Sequence, residues 1–211
     1  MKIAVNTRFL LSKKLEGIGH FTNETLTRIV LRHPEHQFVF LFDRNFSEEF
    51  IYAGNIIPEV VFPPARHPFL WYWWFEISVP AILKKHKPDL FLSTDGYLSL
   101  NTDIPQVPVI HDLAFEHYPE DVNFLVSRYY RYFFPKFARK ARRIATVSEY
   151  SKLDIAEKYG ISEDKIDIVY NGASEIFKAL PEAIQKQVRV KFTNSAPYFI
   201  YVGALHQRKN I

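Results

Sequence analysis

The sequence contains no cysteine among its 211 residues. That absence excludes a disulfide framework, a thiolate metal site and a cysteine nucleophile, and it suits a reducing compartment. Glycine is sparse, with 7 residues, whereas 47% of the chain is apolar and 16% is aromatic. This composition excludes collagen-like repeats, low complexity and disorder, so we expect a folded chain with a substantial core.

Long hydrophobic runs are absent as well. A membrane-spanning helix needs roughly 18 uninterrupted apolar residues, and the closest run, 69–83, contains Glu76 and Pro80. The first residues carry Lys2 and Arg8 around a short apolar stretch, which is too brief for the core of a secretory signal. These features predict a cytoplasmic protein that does not cross a membrane.

The usual metal motifs are also missing. The chain has no Asp-x-Asp pair, no HExxH, no Walker lysine loop and no zinc spacing. The sequence therefore contains no candidate metal site.

Positive charge is local rather than general. The net charge of +4 rests on clusters of lysine and arginine at 84–87, 136–143 and 208–209. Such clusters suit nucleic acid or an anionic membrane surface. For the first two, the alternative is that cations gather at helix C-termini, where the helix dipole favours them.

Short apolar runs alternate with longer stretches of helical periodicity along the chain. The predicted strands lie at 2–6, 37–43, 89–93, 107–112, 143–148 and 165–170, with a further candidate at 59–62. Helical segments are predicted near 122–141 and 149–159. Strands that are apolar on both faces and joined by helices predict an α/β fold, a Rossmann-like parallel sheet with helices on both faces. Such sheets bind ligands outside the carboxyl ends of their strands.

A second domain is predicted to begin near the end of the chain. A polar helix at 181–191 and a linker at 193–197 precede an apolar strand at 198–202, which a glycine and a basic turn follow. At about 150 residues a domain, this order predicts a Rossmann-like domain over 1–192. Residues 193–211 would be a linker and the truncated start of another α/β domain.

Two glycines, Gly17 and Gly19, stand between the first strand and the first helix. There, backbone amides can approach an anion at a helix N-terminus. Position 22 is a threonine, so the three-glycine dinucleotide fingerprint is incomplete and a nicotinamide enzyme is disfavoured. The alternative is a glycine-rich helix start that binds nothing.

Two further pairs are candidates for chemistry. His111 and Asp112 close an apolar strand, where the imidazole can donate to a substrate hydroxyl or phosphate and the carboxylate can accept or orient a proton. Arg208 and Lys209 follow the last predicted strand and suit a diphosphate. The alternatives are a structural or solvated histidine and an exposed basic turn.

Five consecutive aromatic residues, 71–75, invite comparison with an aromatic belt at a membrane surface. On a helix, however, five consecutive side chains point in all directions, so some of them must face inward. We expect most of this run to pack on the sheet as core.

Six segments, in this order, resemble the family 4 (group 1) retaining glycosyltransferases. They are spread along the whole chain. They are GIGHFT at 17–22, WFEISVP at 74–80, HDLAF at 111–115, TVSEYSKLDI at 146–155, VYNG at 169–172 and YVGALHQRKN at 201–210. The resemblance implies the N-terminal half of a GT-B architecture, in which two Rossmann-like domains face each other. One departure is Ala204, where many relatives have an arginine after the glycine; in this respect the chain resembles the subgroup with only the Arg-Lys pair.

The resemblance implies transfer of a sugar, typically mannose or glucose, from a nucleotide-diphosphate donor to a hydroxyl, with retention of configuration. The donor is a substrate, and no cofactor or metal is implied. In such enzymes the first domain mainly receives the acceptor and the second mainly holds the donor. The expected partners are thus a nucleotide sugar and a glycan or lipid-linked acceptor, with peripheral contact at the inner face of the membrane and no nucleic acid.

Carried over from the family, Gly17 and Gly19 would line the cleft near the donor diphosphate. His111 would contact the transferred sugar, and Arg208 with Lys209 would neutralise the departing diphosphate. Because half of that cleft would lie beyond this chain, we expect the chain alone to fold without catalysing transfer. The competing hypothesis is a non-catalytic Rossmann-like module that binds an anionic ligand or a membrane surface.

Overall fold

The computed structural model describes residues 1–174 and 176–203, and the chain divides into two compact units after Asn171. In the first unit the strands are β1 (Lys2–Asn6), β2 (Gln37–Phe42), β3 (Ile56–Val60), β4 (Leu90–Ser93), β5 (Gln106–Pro108), β6 (Ile144–Thr146) and β7 (Ile166–Ile168). Its helices are α1 (Gly17–Arg32), α2 (Pro68–Trp73), α3 (Val79–His86), α4 (Ala114–His117), α5 (Phe124–Lys140) and α6 (Glu149–Tyr159). The second unit contains α7 (Glu182–Thr193).

The strands of the first unit are all parallel. Five form a sheet in the order β3-β2-β1-β4-β5, and β6 pairs with β7. A β-bridge between Val109 and Ala145 joins the two sheets. It forms because the chain that pairs with β4 as β5 turns away after Pro108 and continues beside β6. The Ile110 amide donates to the Ala145 carbonyl at 2.9 Å at this junction. The strand order reverses between β1 and β4, which is the topological switch point of a doubly wound sheet.

Alternate residues of the central strands enter two hydrophobic cores. Phe38, Phe40 and Phe42 of β2 pack with Leu26 and Val30 of α1 on one face. Val39 and Leu41 face the other core, whose buried helical side chains come from α3, α4, α5, α6 and the segment 74–78. Helices on both faces of a parallel sheet confirm the predicted Rossmann-like α/β fold.

The aromatic run lies in a helical stretch in which Trp74–Ser78 form a π-helical turn between α2 and α3. Pro80 has no N–H to give to the carbonyl of Glu76, four residues earlier, and the Asn101 side-chain amide donates to that carbonyl instead, at 3.0 Å. The expectation that the aromatic run is mostly core is only partly right. Trp74 and Phe75 are fully buried, whereas Tyr72 and Trp73 are half exposed.

The prediction of a strand at 198–202 is wrong. These residues have no regular secondary structure, and Phe199, Ile200 and Val202 are exposed. A strand exists only when its backbone pairs with a neighbour, and the described part of the second unit offers a single helix. The unit division after Asn171 precedes the predicted boundary at 192, and the predicted domain assignment stays a prediction.

Within the described residues, no helix combines the length and the apolar composition needed to cross a membrane.

Candidate functional site at the carboxyl edge of the sheet

Polar residues follow four neighbouring strands where those strands end. They are Asn6, Thr7 and Arg8 at the end of β1, Asp43 and Arg44 after β2, Ser93, Thr94 and Asp95 at the end of β4, and His111 and Asp112 beyond β5. Parallel strands bring their carboxyl ends to one edge, so residues far apart in sequence meet there. A cavity of about 400 Å³ opens at this edge.

The cavity has an ionic part and an aromatic part. The charged and titratable lining residues are Arg8, Arg44, Arg66, Asp95, His111 and Asp112. The aromatic lining residues are Phe9, Trp71, Tyr97, Phe115, Tyr130 and Phe134. A largely apolar lining with a few convergent polar groups is typical of a site for a small ligand.

A buried ion pair lies at the switch point. Arg8 Nε donates to Asp95 Oδ2 at 2.5 Å, and the two side chains are 5% and 1% exposed. The other carboxylate oxygen, Asp95 Oδ1, accepts from the Asn6 side chain at 2.8 Å and from the Ser93 hydroxyl at 3.0 Å. This network ties the end of β1 to the end of β4.

Burial and charge act in opposite directions on the pKa of Arg8. Burial disfavours the charged guanidinium, but Asp95 and Tyr97 beside it together outweigh this effect and leave the pKa of Arg8 raised. The guanidinium carbon also lies 4.2 Å from the centre of the Tyr97 ring. Burial raises the pKa of the Tyr97 hydroxyl well above its usual value, so that hydroxyl remains protonated at neutral pH.

His111 lies half-buried in the cavity wall, with Phe21 of α1 packed edge-on at 4.9 Å between ring centres. Its Nε2 is 2.9 Å from the Thr94 carbonyl oxygen. A carbonyl can only accept, so Nε2 carries the proton and, in the neutral ring, Nδ1 is an acceptor. Donation to a substrate from Nδ1 would therefore require the charged imidazolium.

Asp112 also lines the cavity, but its side chain already makes a hydrogen bond within its own segment. Its Oδ1 accepts from the Ala114 amide at 3.0 Å at the start of α4. The residue is exposed, and the second carboxylate oxygen remains available to a ligand. The structure thus brings Asp112 and His111 to the same cavity without an ion pair between them.

The two candidate glycines have different environments. Gly17 is exposed at the first position of α1, and a Cβ there would meet nothing within 4 Å. Gly19 is buried, and a Cβ there would lie 2.7 Å from the Phe9 carbonyl oxygen. Close packing against the loop after β1 is therefore sufficient reason for a glycine at 19. Ile18 between them lines the cavity.

This difference predicts opposite results for two matched substitutions. Gly19→Ala should lower the free energy of unfolding by about 1–3 kcal/mol because its methyl group overlaps backbone. Gly17→Ala should leave it unchanged or slightly higher, since alanine favours a helix. Urea denaturation of both variants measures this, and equal midpoints would contradict the described packing of Gly19.

Arg208 and Lys209 lie outside the described residues, so their predicted contact with the diphosphate stays a prediction. The sequence analysis missed Arg8, Arg44, Arg66 and Tyr97, and it gave Asp95 no role although it follows a strand. The available signal is a charged residue two positions beyond an apolar strand, which Arg8, Arg44 and Asp95 share.

One group of potential metal ligands occurs in the described residues. His33, Glu35 and His36 present ligand atoms within 4.8 Å of one another. They lie just before β2, at the amino edge of the sheet and away from the cavity. Nothing in the structure connects them with the site.

The sequence pattern of Glycosyltransferase Family 4 matches residues 24–175, which is most of the first unit. The chain belongs to glycosyltransferase family 4. The matched range contains His111, Asp112 and Asp95, whereas Arg8, Gly17 and Gly19 precede it. The predicted family is confirmed.

This family 4 chain is 25% identical over 174 residues to the O-antigen chain mannosyltransferase RfbU of Salmonella typhimurium, which covers 79% of this chain and 44% of RfbU. Two solved structures share its fold. Anabaena HepE in complex with UDP and glucose matches 92% of this chain and 50% of its own, with a TM-score of 0.51 and 15% identity. The lipopolysaccharide outer core galactosyltransferase WaaB matches 82% of this chain and 46% of its own, with a TM-score of 0.50 and 16% identity.

The family 4 chain therefore spans about half the length of the relatives it matches. The shared half is the parallel α/β sheet with its helices.

Proposed function

We propose that the protein transfers a sugar from a nucleotide-diphosphate donor to a hydroxyl of a glycan or lipid-linked acceptor. The observation that carries the proposal is the cavity at the switch point of a family 4 sheet, with His111 in its wall. The activities named for RfbU and WaaB, and the UDP and glucose named for the HepE complex, support this class of substrate.

In the proposed reaction, the bond between the anomeric carbon and the diphosphate oxygen breaks. A bond from the same carbon to the acceptor oxygen forms on the same face, and the acceptor proton leaves with the diphosphate. His111 would bind the transferred sugar, and Asp112 would orient a hydroxyl. Amides at Gly17 and Gly19, with Arg208 and Lys209, would stabilise the charge that develops on the diphosphate. No metal is required in this scheme, because cations and amides neutralise the leaving group.

The proposal is tested by incubating the full-length protein with uridine, guanosine and adenosine diphosphate sugars and a set of glycan acceptors. We expect release of nucleoside diphosphate from one donor, in an amount that matches the new glycoside, in the presence of a metal chelator. Residues 1–211 alone should unfold cooperatively and transfer nothing. Absence of transfer from every donor would reject the proposal and favour the non-catalytic binding module.

Peripheral contact with the inner face of a membrane is a second part of the proposal. It is favoured by large side chains that are exposed on α2 and α5, namely Phe69, Tyr72, Trp73, Phe124 and Tyr132. The two helices contact each other where the ring of Trp71 on α2 stacks parallel to that of Tyr130 on α5, with 5.7 Å between the ring centres. Lys136 lies 3.3 Å from the Tyr132 ring centre, so cation and aromatic surface are adjacent. Exposed aromatic groups beside cations suit an anionic lipid surface.

Flotation with vesicles tests the membrane contact. We expect the full-length protein to float with vesicles that contain phosphatidylglycerol and to remain behind with phosphatidylcholine alone. Tyr72→Ala with Trp73→Ala should reduce flotation severalfold, whereas Tyr150→Ala, an exposed aromatic residue on α6, should not. Failure to float with either vesicle would remove this part of the proposal.

A further inference from the structure

Side-chain hydroxyls hold the backbone of the segment that carries His111. β5 ends before this segment, so its next carbonyls lack the regular partners of a strand in that ladder. The Thr146 hydroxyl donates to the Ile110 carbonyl at 2.7 Å. One residue later, the Ser151 hydroxyl donates to the His111 carbonyl at 3.0 Å. Both hydroxyl-bearing residues are buried, so β6 and α6 together fix the backbone at His111.

Ser151 and Ser148 perform different tasks at the start of α6. Ser148 is the N-cap of the helix, and its hydroxyl oxygen accepts from the Ser151 amide at 3.1 Å. The Ser148 hydroxyl also donates to the Ser151 hydroxyl at 3.0 Å. A hydroxyl has one proton to donate, and that of Ser151 goes to the His111 carbonyl. One serine therefore caps the helix and the other holds His111.

α1 acts on the imidazole ring of the same histidine. Phe21 packs edge-on against the ring, and the next residue, Thr22, is fully buried. The Thr22 hydroxyl donates to the Thr94 hydroxyl at 2.8 Å. Thr94 is the residue whose carbonyl accepts from His111 Nε2. Thr22 thus holds in place the acceptor that selects the tautomer of the ring.

The hydrogen-bonding needs of His111 do not by themselves require these side chains. The residue is half-buried in the wall of a cavity, where water can bond to polar groups. Water tolerates several orientations of a ring, whereas buried hydroxyls on two different helices restrict it to one. A group at a reaction centre requires such support, because small displacements there reduce the rate.

We propose that Ser151 and Thr22 are positioning residues that hold His111 in one orientation and one tautomer, with Nδ1 left for the substrate. This inference rests on the proposed function and extends it to two residues that do not line the cavity. It also gives a role to the segment at 146–155, which the family resemblance includes without one.

Two serine substitutions separate positioning from stability. Ser151→Ala removes the hydroxyl that holds His111 but keeps the amide that Ser148 caps. In the full-length protein we expect it to reduce sugar transfer roughly tenfold, less than His111→Ala because the ring is still present. Ser148→Ala is the matched control. It removes the cap and should lower the melting temperature more than Ser151→Ala does, yet leave transfer near that of the wild type.

Nitrogen NMR of labelled histidine observes the ring without turnover, and His111→Ala assigns its signals. At a pH at which the ring is neutral, we expect the wild type to have the proton on Nε2. Ser151→Ala and Thr22→Val should add the form with the proton on Nδ1, and Thr22→Ser should restore the wild-type spectrum. Thermal melting verifies that each variant is folded.

The outcomes separate this inference from the proposed function. Absence of transfer by the wild type would reject the proposed function, whereas the NMR measurement does not depend on it. The inference is overturned by an unchanged tautomer of His111 in Ser151→Ala, by wild-type transfer in that variant, or by equal losses of transfer in Ser151→Ala and Ser148→Ala.

Discussion

His111→Ala is expected to reduce turnover of the full-length protein by roughly 100-fold or more, the scale of one positioned donor or acceptor at a reaction centre. The ring lies in the cavity wall at the carboxyl edge, and Thr94 holds its Nε2. Folding should persist because the imidazole is half-exposed and contacts only the rim of the cavity, at Thr94 and Phe21.

Two substitutions separate the roles of the ring nitrogens. Nε2 is engaged by the Thr94 carbonyl, so Nδ1 is the atom left for a substrate. The asparagine amide approximates the position of Nδ1, and the glutamine amide approximates that of Nε2. His111→Asn should therefore retain more activity than His111→Gln.

The matched control for His111 is His117→Ala. His117 is a half-exposed histidine whose Nε2 pairs with Asp154 at 2.8 Å, outside the cavity lining. Its loss should leave turnover near that of the wild type. Wild-type turnover in His111→Ala would remove His111 from the proposed site.

Asp95→Ala is expected to cause the largest loss of stability. It leaves the Arg8 guanidinium buried without its carboxylate, and breaking a buried pair in this way costs about 3–5 kcal/mol. It also removes the acceptor for Asn6 and Ser93, which tie β1 to β4. Urea denaturation of the full-length protein should show a much lower midpoint for the transition of this domain.

An exposed pair provides the control. Asp167 accepts two hydrogen bonds from Arg143, at 2.5 and 2.6 Å, but both side chains are about half exposed. Solvent screens such a pair, so Asp167→Ala should barely move the midpoint. Adding Arg8→Met to Asp95→Ala should restore part of the loss, because the unpaired charge is then gone. Equal midpoints for Asp95→Ala and Asp167→Ala would contradict the described pair.

Local signals predicted the elements whose ends are determined by their own residues. α6 runs over Glu149–Tyr159 as predicted, since Ser148 accepts from the Ser151 amide at its start and Gly160 adopts a left-handed conformation at its end. β1 likewise has the predicted bounds, because its apolar run is short and sharply limited. Helix caps and buried runs can be identified without knowledge of the neighbours.

Elements that depend on distant partners were predicted less well. β5 ends at Pro108, because the chain then turns from β4 to β6, and no local pattern marks that change. The strand expected at 198–202 required a neighbour that the described residues do not supply. Tyr72 and Trp73 differ in burial from Trp74 only because α5 and the sheet cover one side of the helix.

The candidate site shows the same division. His111 and Asp112 could be identified because they directly follow an apolar run. The Arg8–Asp95 pair joins residues 87 positions apart in sequence, and it exists because β1 and β4 are neighbours at the switch point. The aromatic wall of the cavity combines α2 with α5 in a similar way, so its composition could not be predicted from either segment.

The stereochemistry of the first product tests the central proposal most directly. The full-length protein is incubated with a nucleotide α-sugar and a glycan acceptor, and the one-bond carbon–proton coupling at the anomeric carbon of the new glycoside is measured by NMR. We predict an α-linked product, and roughly 100-fold less of it with His111→Ala. A β-linked product, or consumption of the donor without any new glycoside, would contradict retaining sugar transfer at this site.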